Sequence, residues 1–280
     1  MNDAPCANFL YNPPSVFGAA IFATVLFVAS VAHASDLGVC ADPNNLPFSN
    51  SKGEGFENRI AQLIAGELDK TVHYTWWAQR RGFVRNTLRE RLCDVIVGVP
   101  AGFDLVLPTR SYYRSSYVFV TRPELRPKLD SFDDARLKQL RIGVHLIGDD
   151  GANTPPAHAL ARRGIIDNIA GYMIYGDYAE ANPPARLIEA VARRAIDVAI
   201  VWGPLAGYFA PRQSEPLQIT AVTPALDPPA LPMTFAIAMG VRKDDAGLRN
   251  ALNQIIEKRR ADIDKILDAY GVVRMDRTKE

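Results

Sequence analysis

The chain has 280 residues, 48% hydrophobic and 22% charged, with a formal net charge of +1. That is ordinary globular composition, and the length suits one large or two modest domains. Near-neutral charge gives no field to gather a polyanion, which excludes nucleic acid as a partner.

Residues 16–32, VFGAAIFATVLFVASVA, form an almost wholly apolar run, and Ala32-His33-Ala34 then offers small residues at an export-signal cleavage site. The preceding segment, MNDAPCANFLYNPPS, has no Lys or Arg, unlike a usual signal. An uncleaved anchor of minimal spanning length is the alternative. Residues 1–34 are read as a signal peptide, and under either reading the rest is exported to the periplasm. Cleavage would leave no membrane attachment.

Export permits a disulfide. Cys6 leaves with the signal, so Cys40 and Cys93 remain. A bridge and two small buried thiols are both compatible with the sequence. Their strands should be neighbours, but Cys40 lies late in its strand and Cys93 before its own. That stagger tests the short reach of a disulfide.

Leu37 to Ala41 reads as a short apolar strand, followed by the turn-rich loop CADPNNLPFSN. Phe56, Ile60, Leu63, Ile64 and Leu68 then recur at helical spacing, with Glu54 and Glu57 where the helix dipole favours acid. Val72 to Trp77 is a β-branched and aromatic strand, Gly82 to Leu92 a helix, and DVIVGV (Asp94 to Val99) a buried strand. This alternation specifies a parallel sheet with crossover helices.

A further strand, SYVFVT, ends at Thr121 before the Pro-punctuated RPELRP. The plan then restarts: strand RIGVHL from Arg141, helix Pro155 to Arg163, strand YMIY from Tyr172. Asn182 caps a helix with Pro183 at its first position, running to Arg194, and DVAIV from Asp197 is again a buried strand. The last strand, TFAIAMGV, and a long helix from Leu248 to Tyr270 have no partners nearby and should return to the first half. The expected fold is α/β, with lobes 35–121 plus 224–280 and 122–223, a two-strand hinge, and a cleft at the strands' carboxyl ends.

Catalytic patterns are missing. The four histidines (33, 73, 145 and 158) lack metal-ligand spacing, and there is no nucleophile elbow, phosphate loop or EF-hand. The GDDG at 148–151 reads as a turn. No catalytic residue, metal or cofactor is assigned, and the chain is read as a non-enzymatic monomer. Arg81, Arg85 and Arg89 fall at i, i+4 and i+8. On a helix they make one stripe, either a solvated face or a docking stripe for an acidic protein surface.

The strings PFSN…GFENRIA, CDVIVGV, YYRSSYVFV and AIAMGVRKDD resemble type 2 periplasmic solute-binding proteins of ABC transporters. VCADPNNLPFSN, YTWWAQRRGFVRNTL and CDVIVGVPAGFD resemble, more narrowly, the MoxJ/XoxJ-type branch. The resemblance implies association with a quinoprotein methanol dehydrogenase, dependent on PQQ, or with its c-type cytochrome. Amino-acid receptors of the wider family hold the ligand carboxylate with an Arg in the loop after the third strand. Here that loop, Gly98 to Thr109, has no Arg or Lys and only Asp104 as a charge. Where those receptors place an Asp for the ligand amine, this chain has Trp202-Gly203-Pro204. Arg110 and Arg114 are the available substitutes for the missing cation.

The cleft is therefore expected to be aromatic, drawing on Phe48, Trp76, Trp77, Phe103, Tyr112, Tyr113, Trp202, Tyr208 and Phe209, with core packing as the competing role for each. Alternation along the strand sends one of Trp76 and Trp77 inward and the other outward. Two roles follow: an accessory protein gripping a segment of the dehydrogenase or cytochrome, or a receptor for a small apolar or aromatic solute or a cofactor such as PQQ.

Overall fold

The computed structural model describes residues 36–146, 153–173, 175 and 178–275. The export segment at 1–34 and the GDDG turn at 148–151 lie outside the described residues.

Strand β1 (Asp36–Ala41) leads into a small hairpin, β2 (Asn44–Asn45) and β3 (Ser49–Asn50), and then helix α1 (Phe56–Glu67). Strand β4 (Thr71–Trp76), a short helix α2 (Phe83–Asn86) and β5 (Val95–Pro100) follow. Both β4 and β5 run parallel to β1, as alternating strand and helix require. A two-residue strand β6 (Leu107–Pro108) precedes β7 (Tyr113–Thr121).

The second half holds β8 (Ile142–Leu146), α3 (Pro155–Arg162), β9 (Ile169–Met173) and α4 (Arg186–Ala192). It continues through β10 (Val198–Trp202), α5 (Gly203–Phe209) and β11 (Gln218–Ala221). A hairpin arm, β12 (Leu226–Asp227) and β13 (Leu231–Pro232), leads to β14 (Thr234–Val241), then α6 (Ala246–Lys258) and α7 (Arg260–Ala269).

Strand order is β4-β1-β5-β14-β7-β10-β8-β9. The last strand does return to the first half: β14 lies antiparallel to both β5 and β7. Strand β7 serves both lobes. Its first part pairs with β14, ending at Ser116↔Thr234, and its second pairs with β10 from Tyr117↔Trp202.

Tyr117 is the pivot. Its amide donates to Met233 O (2.8 Å) and its carbonyl accepts from Val222 N (3.1 Å), so both chain crossings meet at one residue. Val222 and Met233 are buried in the second lobe's core. Strand β7 changes partner at 116/117 and β14 begins at Thr234, before and after the 122–223 expected for the second lobe.

Burial follows strand alternation. Val118, Val120, Ala199 and Val201 face α4 and α5 residues such as Leu187, Val191 and Leu205. Phe119, Val198 and Ile200 face the opposite layer with Phe132, Leu137 and Leu160. A sheet covered on both faces explains why these strands are continuously apolar. In the first lobe, Phe56, Ile60 and Ile64 of α1 pack with Val95, Val97, Leu252, Ile263 and Leu267.

Three elements differ from expectation. The helix expected over Gly82 to Leu92 is helical only across Phe83–Asn86. The Thr87 hydroxyl donates to Phe83 O (2.6 Å), and such a bond competes with the helical ladder. Phe83, Val84 and Leu88 still turn inward, around the two cysteines. The long terminal helix breaks at Arg259, whose guanidinium is held by Glu67 (2.6 Å) and Asp262 (2.7 Å). The strand expected as DVAIV runs on to Trp202 and leads directly into α5, with Pro204 in its first turn where a missing amide costs nothing.

Cys40 and Cys93 form a disulfide, their Cα atoms 5.6 Å apart. Gly38 overcomes the stagger between them. A Cβ there would lie 2.9 Å from the Cys93 Cα, so only a bare backbone admits the approach. Gly38 N and O are both bonded to Asp94, at 2.9 Å to its Oδ2 and 2.7 Å from its amide.

Candidate functional site

A cavity of about 270 Å³ lies between the lobes, at the ends of the strands. Strand β7 supplies Tyr113 and Tyr117, four residues apart and hence on one side of the strand. Trp202 ends β10, Phe235 lies near the start of β14, and Phe48 comes from the loop before α1. Tyr175 and Leu205 also line the space. Tyr117, Trp202 and Phe235 pack edge-on to one another, with centroids 5.4, 5.9 and 6.5 Å apart. Such quadrupole-matched contacts fix ring positions.

The polar part of the lining is small and unusual. Glu57, in the first turn of α1, is 8% exposed, and burial alone raises its pKa from 4.5 to about 8. His145, on β8, is 4% exposed and pushed down to about 3 by burial, so its imidazole is neutral. Its Nε2 has no partner. Asn45 donates through Nδ2 to Gln79 Oε1 (3.1 Å), while its Oδ1 is unpaired. The phenols of Tyr113, Tyr117 and Tyr175 are raised by desolvation and stay neutral. Among the described residues, no Arg or Lys lines the cavity.

Asp42 braces this wall from behind. It is fully buried and accepts from the amides of Gln79 (2.8 Å) and Asn44 (2.9 Å), tying the loop before α1 to the segment after β4. Burial raises its pKa in spite of those two amides.

A second depression of about 830 Å³ adjoins the first, sharing Gln79, Gly98, Val99 and Pro100. Arg80, Arg81, Arg85 and Arg89 surround it with Phe103 and Leu105.

No family model matches the chain. The protein MoxJ of Methylorubrum extorquens is 32% identical over 256 residues, covering 87% of this chain and 83% of that protein. The chain belongs to the MoxJ/XoxJ family. MoxJ of Paracoccus denitrificans is 30% identical over 275 residues, covering 92% of this chain and 95% of the relative. The crystal structure of the periplasmic binding protein XoxJ from Methylobacterium extorquens AM1 is 38% identical. It aligns with a TM-score of 0.70 over 86% of this chain and all of that one.

In this MoxJ/XoxJ-family chain, the structure brings Phe48, Tyr113 and Trp202 together in the inter-lobe cavity. Other aromatic residues named from the sequence sit elsewhere. Tyr112 is fully buried and donates to Val97 O (2.9 Å). Trp76 stacks on Tyr74 at 4.4 Å, and its neighbour Trp77 is 42% exposed. Tyr208 stacks on Tyr270 at 5.7 Å beneath the Arg212 guanidinium, and Phe209 is buried in the second lobe's core. Phe103 belongs to the arginine-lined depression.

Arg110 is exposed and reaches Glu257 (3.1 Å), and Arg114, also exposed, is absent from the lining. Neither supplies the missing cation. Arg81, Arg85 and Arg89 share one depression, though not as a stripe along a continuous helix. Sequence reasoning missed Glu57, Tyr117, His145, Tyr175 and Phe235 as cavity residues. Among the described residues, no group of His, Cys, Asp and Glu could hold a metal ion, and no helix is long and apolar enough to cross a membrane.

Proposed function

We propose that this chain is a periplasmic binding protein recruited as an accessory factor, gripping a quinoprotein (PQQ-dependent) methanol or alcohol dehydrogenase, or its c-type cytochrome, during maturation or activation. The observation that carries this reading is a cleft walled by aromatic rings without a cation for a ligand carboxylate. A site built around a carboxylate loses several kcal/mol, roughly, when its pairing ion is missing. Membership of the MoxJ/XoxJ family supports the choice of partner. Beside the cleft, Arg81, Arg85 and Arg89, joined by Arg80, surround Phe103 and combine charge with apolar surface, as a docking face for an acidic protein does.

The test is a titration of the purified chain with the apo-dehydrogenase and with the cytochrome, together with a deletion strain. Association, and poor cofactor loading of the dehydrogenase without this chain, are expected. Normal loading and no association with either protein would remove the proposed role. Arg85→Glu/Arg89→Glu should slow association about tenfold at low salt and leave Tm unchanged.

A second reading, an ABC-importer receptor for a small apolar or aromatic solute, draws support from the inter-lobe cavity with its unpaired polar atoms. Thermal-shift screening separates the two, since a ligand at 100 times its Kd adds about 2.7 kcal/mol.

A further inference from the structure

We propose that the inter-lobe cavity is a binding site for an organic ammonium group, with Glu57 as counter-ion and Tyr113, Tyr117, Trp202 and Phe235 as its aromatic wall. A carboxyl group more than nine-tenths buried lines the cavity, and nothing in the described structure donates to that carboxyl or pairs with it. Two more polar atoms facing the same buried region, Asn45 Oδ1 and His145 Nε2, are also unpartnered. Buried polar atoms without partners are costly, and a cluster of them in one cavity marks a place where a ligand completes the bonds.

The chemistry of that ligand follows from the chemistry of the wall. Asn45 Oδ1 and an ionised Glu57 can only accept hydrogen bonds, so the complementary head group is a donor. The aromatic faces carry negative quadrupoles and attract a desolvated cation. Anions are disfavoured by both. A protonated amine on a small apolar body satisfies carboxylate, amide oxygen and rings together. The cavity, about 270 Å³, is near the small end of ligand sites and suits a body of about ten non-hydrogen atoms.

Charge balance agrees. The groups that sense Glu57 are Tyr74 of β4, Tyr112 just before β7, Tyr113 of β7, and Tyr175, all neutral phenols. His145, from the opposite lobe, is neutral as well. Among the described lining residues nothing is charged at neutral pH in the free protein, because Glu57 holds its proton. An entering ammonium ion replaces that proton as the counter-charge, so binding releases it. A free amine and a lysine side chain present the same ammonium head group. The site does not depend on the dehydrogenase being the partner.

The experiment is calorimetry on the mature chain with 2-phenylethylammonium, its neutral counterpart 2-phenylethanol, and N-acetyl-lysine methylamide, in buffers of different ionisation enthalpy. The phenylethylammonium or the capped lysine should bind, releasing about 0.9 proton at pH 7. Glu57→Gln should weaken the ammonium probe at least about tenfold and abolish proton release, with 2-phenylethanol affinity little changed. Trp202→Ala should weaken every probe. Binding of phenylethylammonium alone assigns a free amine, and binding of the capped lysine assigns a protein side chain. No saturable binding of either ammonium at millimolar concentration, or equal affinity in Glu57→Gln, overturns the proposal. A dehydrogenase titration that succeeds alongside that failure leaves the accessory role standing and removes only the ammonium site.

Discussion

Glu57 fills the space that a side chain at Gly98 would need: a Cβ added to Gly98 would lie 2.0 Å from Glu57 Oε1. The first turn of α1 and the middle of β5 are thereby locked face to face, and the carboxyl is aimed along the cavity wall. Gly98→Ala should push the acid into the cavity and cost about 1–3 kcal/mol. In the Gly98→Ala/Glu57→Ala double variant the clash is gone, so its cost should fall short of the two single costs added together by about 1 kcal/mol. Urea unfolding of the four proteins measures this. Strict additivity would mean that the two residues do not share the space.

The same acid controls stability above mid-acid pH. The folded chain holds the Glu57 proton with a pKa of about 8, against 4.5 when unfolded. Folding therefore favours the protonated form, and this contribution is present below pH 4.5 and lost as pH rises through 8. The loss is on the order of 3–5 kcal/mol. His145 acts in the opposite sense. Its folded pKa of about 3 lies below the ordinary 6.5, so its contribution is present above 6.5 and lost toward pH 3. Asp197, held far below the usual carboxylate range by Arg141, adds to the acid limb. Stability measured from pH 4 to 8.5 should fall toward both ends. Glu57→Gln should flatten the alkaline limb alone; an unchanged slope there would refute the assignment.

The lobes and their strand order are legible because burial follows simple periods. Val118 and Val120 against Phe119, or Val198 and Ile200 against Ala199 and Val201, declare a sheet covered on both faces. What periodicity could not show was the competing local bond of Thr87, which ends α2 after one turn, or the ion pairs that accommodate the break at Arg259. The candidate site was only partly legible for a related reason. Trp202 and Phe48 sit beside turns at strand ends, where clefts form. Glu57 looked like an acid serving a helix dipole, because its role as cavity wall depends on Gly98, forty-one positions away in the sequence. Tyr117 looked like one more strand aromatic, since only the pairing of β7 with two different partners makes it the pivot.

Removal of the Cys40–Cys93 bridge tests the exported setting. The cysteines are 53 positions apart, and freeing a loop of that length costs about 4 kcal/mol in the chain-entropy picture. Cys40→Ser/Cys93→Ser should lower the denaturation midpoint accordingly. A reductant should lower the wild-type midpoint and leave the variant unmoved. Equal effects on both would show that the bridge does not form in solution.

The hairpin arm before the second crossing is pinned by ion pairs to one buried carboxylate. Asp227 has no exposure and accepts from Arg163 at 2.7 and 3.2 Å; Arg163 also bonds Asp133 (2.8 Å) and lies over the Phe132 ring. Arg162 also approaches Asp227 (4.0 Å) and secures the next residue of the turn, donating to Pro228 O (3.2 Å). Arg163→Ala leaves the buried carboxylate only the longer Arg162 contact and should cost about 3–5 kcal/mol. Arg163→Met/Asp227→Asn removes both charges and should recover part of it. Hydrogen exchange should localise the loosening in Arg163→Ala to the arm and the following residue, Met233, whose carbonyl receives the Tyr117 amide. Because that bond closes the hinge, the same variant should also broaden the distribution of lobe orientations seen by small-angle scattering. A variant that loses less than about 1 kcal/mol would show that Leu231 and Met233 hold the arm by apolar packing instead, and that the hinge is independent of the ion pair.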